Sequence, residues 1–154
     1  MQVADVMTRD VLTVAPDTSV RDIARLLWTH GVSGVPVVSA DGSLVGVVSE
    51  LDLLVRNANL HVPQYLRALD VMIPLGNRRE FDEELRRALG ATAADVMTTD
   101  AISVGPETDL ADAATLMFEN DVDRLPVVAD GQVVGIISRA DFVRLLAYDI
   151  PTEE

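Results

Sequence analysis

Apolar residues fill 49% of the 154 positions, enough for one compact domain or two small halves, while aromatics at 4% leave Val, Leu, Ile and Ala to build the core. The absence of Cys excludes disulfides, thiolate nucleophiles and Cys-ligated zinc. A net charge of −13, with all 12 basic residues Arg, opposes phosphodiester backbones and anionic lipid, so neither nucleic acid nor membrane is expected as a partner.

The opening Met1-Gln2-Val3-Ala4-Asp5 has neither the basic nor the apolar region of a secretory leader, and no run approaches the roughly 18 consecutive apolar residues of a membrane span. A soluble, cytoplasmic protein is expected. Val11–Val14 reads as a short extended piece before Pro16. A helix follows, with Thr18 as its expected N-cap, Val20, Ile23, Ala24 and Leu27 on one face, and Gly31 as its stop. Val35–Val38 reads as a buried strand whose Pro36 belongs at its start or edge. The Asp41-Gly42 turn joins it to Leu44–Ser49 as a hairpin. A second helix starts near Leu51.

Between Arg56 and Ala94 the pattern changes. Asn57–Val62 reads as helix tail and loop, Asp70–Leu75 as a strand or extended arm, and Phe81–Leu89 as a short helix ended by Gly90. Arg78, Arg79, Arg86 and Arg87 are balanced by Glu80, Asp82, Glu83 and Glu84, as on a solvated helix face.

The first grammar then returns. Asp5-Val6-Met7-Thr8 recurs as Asp95-Val96-Met97-Thr98, a displacement of 90 that holds through Val128 with 15 identities in 34 positions. One residue is lost in the turn, and Asp41–Leu54 then matches Asp130–Val143 at 6 of 14 positions. The chain is an internal duplication. The expected fold is α/β of the α+β type, two β-α-β-β-α repeats related by a pseudo-twofold axis, packed around a shared core with two equivalent clefts. The expected organisation is a first repeat over 1–55, a linker with a short helix over 56–94, a second repeat over 95–148 and a tail over 149–154.

Both hairpins end alike, in Gly46-Val47-Val48-Ser49-Glu50-Leu51-Asp52 and Gly135-Ile136-Ile137-Ser138-Arg139-Ala140-Asp141. A Ser at a strand-to-helix junction with an Asp in the first turn caps the helix. The same groups suit a phosphate at the helix N-terminus and ribose hydroxyls at the carboxylate. The residues alone leave both readings open.

Asp-Val-Met-Thr in both repeats, the Pro16/Thr18 and Pro106/Thr108 helix starts, Gly34–Val38, Arg124–Val128, the Asp-Gly turns and the Gly-x-x-Ser-x-x-Asp endings together resemble a cystathionine-β-synthase (CBS) domain pair, or Bateman module. The resemblance covers Asp5–Leu54 and Asp95–Leu146. It implies a regulatory module that binds AMP, ADP, ATP, S-adenosylmethionine, NAD or a cyclic dinucleotide between repeats, with AMP foremost. It implies no required cofactor, no metal and no catalysis. By matching position it gives Asp52 and Asp141 to ribose and Ser49 and Ser138 to phosphate. Val32, Ser33, Gly34, Val35 and Pro36, with Thr13, would meet the adenine edge in the first repeat; Val122, Asp123, Arg124, Leu125 and Pro126, with Ser103, correspond in the second. Gly34 opposite Arg124, and Glu50 opposite Arg139, make the halves unequal. The expectation is base and ribose on the first repeat and phosphate on Arg139 and Arg124, with one or two phosphates favoured over three.

Among the remaining residues, His30 suits a helix C-terminus, and His61 stands alone. No metal-ligand spacing or Walker-type loop is present. Trp28 and Phe118, 90 apart, are expected to pack or to join a homodimer. With no effector domain beside the pair, the regulated partner is expected to be a separate protein or another copy. The competing reading is a ligand-free scaffold in which each Ser and Asp only caps a helix.

Overall fold

The computed structural model describes residues 1–57, 64–68, 71–75, 79, 83 and 89–148. The first unit carries α1 (Val3–Val6), α2 (Val20–His30), β1 (Gly34–Val38), β2 (Leu44–Ser49) and α3 (Glu50–Asn57). β3 (Gln64–Ala68) and β4 (Val71–Leu75) follow, then α4 (Ala93–Val96), α5 (Leu110–Glu119), β5 (Arg124–Ala129), β6 (Gln132–Ser138) and α6 (Arg139–Tyr148). Each pair β1–β2, β3–β4 and β5–β6 is an antiparallel two-stranded sheet.

Local sequence explains most of these boundaries. Ser19 caps α2 by accepting from the Asp22 amide at 3.1 Å, while Thr18, the expected cap, accepts from Ala15 N at 3.0 Å and shapes the preceding turn. In the repeat Asp109 caps α5 and Thr108 closes the turn at Gly105. Gly31 ends α2 with φ +62°, a left-handed conformation that needs no Cβ. The expected strand at Val11–Val14 shrinks to a single parallel bridge, Val14 to Val37. That bridge explains Pro36 inside β1. Its carbonyl accepts from Val14 N, and it stands opposite Val47, whose own N–H and C=O face Thr98. No ladder bond needs the N–H that proline lacks.

The sequence reading missed α1 and α4, one-turn helices built from the repeated Asp-Val-Met phrase, and each docks on the other repeat. Val3 N donates to Thr108 O and Ala4 N to Pro106 O; Ala93 N donates to Thr18 O and Ala94 N to Pro16 O. The next residues bridge in the same crossed sense, Thr8 to Ile136 on β6 and Thr98 to Val47 on β2. The single shared core expected from the duplication is therefore replaced by two clusters. One gathers Val14, Val20, Ile23, Leu27, Val35, Val37 and Val48 with Ala93 and Val96; the other gathers Leu110, Ala113, Met117, Leu125, Val127 and Ile137 with Val3, Val6 and Met7. Each half completes its core with the leading segment of the other, which fixes how the halves face each other.

Within the linker, Val71–Leu75 is a strand, paired in register with Gln64–Ala68. Most of the expected Asn57–Val62 tail, Asp70 and most of the Phe81–Leu89 helix lie outside the described residues; Glu83 and Leu89 are helical.

Candidate functional site

A cleft of about 550 Å³ opens where the two halves meet. One wall is the β2–α3 junction, with Ser49, Glu50, Leu51, Asp52 and Leu54. The other comes from the second repeat: Thr98, Asp100, Ala101 and Ile102 after α4, Asn120–Asp123 between α5 and β5, and Arg124 and Pro126 on β5. Ser33 and Val47 complete the lining. Its volume falls in the range of small-molecule sites, and apolar groups (Val122, Ile102, Pro126, Leu54) sit beside a few polar ones, as such sites require.

The Ser-x-x-Asp phrase folds as a reciprocal helix cap. Asp52 Oδ2 accepts from Ser49 N at 2.8 Å and from Ser49 Oγ at 3.0 Å, and Asp52 N donates back to Ser49 Oγ at 3.3 Å. The cap orients the carboxylate at the cleft wall. Ser138 and Asp141 repeat it at 2.8 and 2.9 Å.

Arg124 is the most constrained group in the cleft. It is only 9% exposed, and its Nη2 donates to Ser33 Oγ at 2.6 Å, a bond between the two repeats. Its Nη1 is buried and has no acceptor among the described residues. Burial pushes the guanidinium pKa down, and the carboxylates of Asp123, Glu50 and Asp52 pull it back up. Arginine stays protonated in such surroundings, so this is a buried cation with one donor unspent. Arg139, 56% exposed along its side chain, is tied to Asp123 at 2.9 Å and Asp121 at 3.5 Å.

Of the expected site residues, the cleft unites Ser33, Ser49, Asp52, Val122, Asp123, Arg124 and Pro126. Thr13, Val32, Gly34, Val35, Pro36, Ser103, Leu125, Ser138, Arg139 and Asp141 are not in its lining. This changes the expected pairing. Asp52 was assigned a base wall from its own repeat, but the crossed docking of α1 and α4 turns it toward Val122–Pro126 of the other repeat. The Val35 side chain is in the core, Thr13 and Ser103 are exposed, and Arg139 is paired with Asp121 and Asp123. Thr98, Asp100, Ile102, Asn120 and Asp121 line the cleft without having been expected there. One signal for Asp100 was present, since Asp10 and Asp100 are identical at the same offset in both repeats.

Among the described residues no His, Asp and Glu group could hold a metal ion, and no helix is long and apolar enough to cross a membrane.

The CBS domain family model matches residues 3–58 and again 93–148. An uncharacterised protein of Methanocaldococcus jannaschii is 35% identical over 154 residues, covering 95% of this chain and 91% of its own. The chloroplast CBS domain-containing protein CBSX2 of Arabidopsis thaliana is 37% identical over 92% of this chain, which spans 62% of that protein's length. The crystal structure of CBSX2 in complex with AMP superposes with a TM-score of 0.71 at 35% identity, covering 95% of this chain and 96% of the other. Two matches in tandem, the duplicated fold and these relatives have one meaning: this chain belongs to the CBS domain family, as a CBS domain pair.

Proposed function

We propose that this CBS pair is a regulatory module that binds an adenosine nucleotide of the AMP type in the Ser49/Asp52 cleft and carries out no chemistry. The observation that carries the reading is the buried Arg124 guanidinium, which lines the same cleft as Asp52. Held in place by Ser33, it is a prepositioned cation, and phosphate is an anion that arginine binds through charge-assisted hydrogen bonds. Asp52 supplies acceptors for ribose hydroxyls, and Ser49 is a hydroxyl beside them. Val122, Ile102 and Pro126 offer apolar surface for a base. The relative that holds AMP in its crystal structure supports the ligand class.

The carboxylates around the cleft limit how much negative charge it takes. Among the described residues Glu50, Asp52, Asp100, Asp121 and Asp123 line it with Arg124, and Arg139 pairs with only two of the five carboxylates, so one phosphate is favoured over three. The signal is a population shift: Arg124 and the crossed segments already join the halves, so a ligand between them favours one relative placement, which a partner protein or a second copy reads. Trp28 and Phe118, 89% and 86% exposed at equivalent places on α2 and α5, are the proposed homodimer contacts.

Thermal melting with AMP, ADP, ATP and S-adenosylmethionine tests the reading. Ligand at 100 times its Kd stabilises by about 2.7 kcal/mol, and AMP is expected to give the largest shift. No shift with any of the four, or equal shifts in an Asp52→Asn protein, contradicts it. The ligand-free scaffold predicts that outcome, with Asp52→Asn lowering stability alone.

A further inference from the structure

The two Ser-x-x-Asp phrases are equal in sequence and unequal in structure. Asp141 is 8% exposed, and both its oxygens are engaged: Oδ2 accepts from Ser138 N and Oγ, and Oδ1 accepts from Arg144 Nη2 at 3.1 Å. The same Arg144 nitrogen donates to the Val6 carbonyl at 3.1 Å, at the end of α1. At Asp52 only Oδ2 is engaged. Among the described residues Oδ1 has no partner, and the carboxylate lines the cleft. The position equivalent to Arg144 is Val55, whose side chain has nothing to donate.

A second arginine closes the same side of the pseudo-axis. The open cleft uses Asp123 and Arg124 as wall, and their equivalents are Ser33 and Gly34. Arg124 lies across both of these, with Nη2 on Ser33 Oγ and Nη1 over Gly34, where an added Cβ would stand 1.5 Å from it. Both arginines lack a basic counterpart in the other repeat, which has Gly34 and Val55 at those places.

We infer that Asp141 and Arg144 form a structural lock that fastens α6 to the crossed N-terminal segment, and that the chain consequently takes one ligand, at Asp52. The one-ligand clause rests on the nucleotide reading above; the lock does not. A carboxylate holds a ribose diol by offering free acceptor sites to two hydroxyls, and Asp141, with three of its roughly four sites filled, must break a bond to do so. The one bond outside the helix cap is Arg144, which also holds the tie to Val6.

The test combines calorimetric titration of AMP with melting of Asp52→Asn, Asp141→Asn, Arg144→Met and the Asp141→Asn/Arg144→Met double variant. The wild type is expected to bind one AMP per chain. Asp52→Asn is expected to weaken binding about tenfold or more, and Arg144→Met to stay within about threefold at the same stoichiometry. Asp141→Asn and Arg144→Met are each expected to lower Tm, and the double variant no further than the worse single one, the mark of a coupled pair. Two AMP per chain in the wild type, or loss of binding in Arg144→Met, overturns the one-ligand claim. Additive Tm losses overturn the lock. If Asp141→Asn does not fold, Arg144→Met carries the test, since it leaves the Ser138–Asp141 cap in place; an unchanged Tm there also overturns the lock. A wild type that binds no AMP removes the nucleotide reading and the one-ligand clause together, while the melting cycle still decides the lock.

Discussion

The guanidinium of Arg124 occupies the space that a side chain at position 34 would fill: a Cβ on Gly34 would stand 1.5 Å from Nη1 and 2.9 Å from the Val48 carbonyl. The first repeat omits a side chain so that the second can reach across. Gly34→Ala is expected to displace Arg124, break its bond to Ser33 and press on the β2 backbone. Overpacking of this kind costs about 1–3 kcal/mol. Denaturant unfolding should show the loss, and AMP affinity should fall with it. Gly90→Ala, which meets nothing within 4 Å, is the control expected to change neither.

The crossed segments rest on two other glycines. A Cβ at Gly46 would lie 2.7 Å from Met97 Sδ and 2.9 Å from Thr98 O; one at Gly135 would clash with Met7 Sδ and approach Thr8 O to 3.2 Å. Gly46→Val should therefore push the Met97–Thr98 segment off β2 and expose Ala93 and Val96. A loss of about 1–3 kcal/mol in chemical denaturation is expected, with faster amide exchange at Thr98 and Val47. Unchanged exchange there would contradict the crossing.

Asp41 at the first hairpin turn is held at a pKa of about 2, below the ordinary 3.8, first by the hydroxyl of Ser39, then by the hydroxyl and amide of Ser43. A depressed folded pKa contributes stability above the unfolded value, and that contribution is lost as pH falls from about 3.8 through about 2. The group is fully exposed, so solvent screens the effect. Carboxyl NMR should show Asp41 titrating near pH 2, and Ser39→Ala should move the midpoint upward. A midpoint near 3.8 in the intact protein would contradict the geometry.

Trp28 and Phe118 give the association prediction. Trp28→Glu with Phe118→Glu is expected to shift sedimentation from dimer to monomer with little change in Tm, because both side chains are almost fully solvated within one chain. A wild type that sediments as a monomer, or an unchanged coefficient in the variant, would contradict the proposed homodimer contact.

The duplication, the hairpins, the helix faces and the family were legible because each rests on a repeated or periodic pattern. The four-residue helices Val3–Val6 and Ala93–Val96 were not, since a single turn carries no periodicity. That omission had a consequence. Without the crossing, Asp52 is matched to its own repeat's Val32–Pro36, and the lining at Asp100–Ile102, Asn120 and Asp121 goes unseen. The difference between Gly34 and Arg124 was visible as a difference in bulk and charge. Its geometry, one residue folded over the other, belongs to the packing and could not be read from either residue alone. Val11–Val14 has the composition of a strand but only one bridging partner, so its propensity exceeds its pairing.

The most direct test of the account is the difference in affinity between AMP and adenosine, measured by calorimetry in the wild type and in Arg124→Met. The variant should fold well, since replacing a buried, partly paired charge by an apolar side chain of similar size is often neutral or stabilising. The wild type is expected to favour AMP over adenosine by about tenfold or more, as a charge-assisted contact to phosphate requires. In Arg124→Met that preference should collapse while adenosine binding holds. Equal affinity for AMP and adenosine in the wild type, or a preference that survives in Arg124→Met, would contradict the assignment of Arg124 and the cleft it closes.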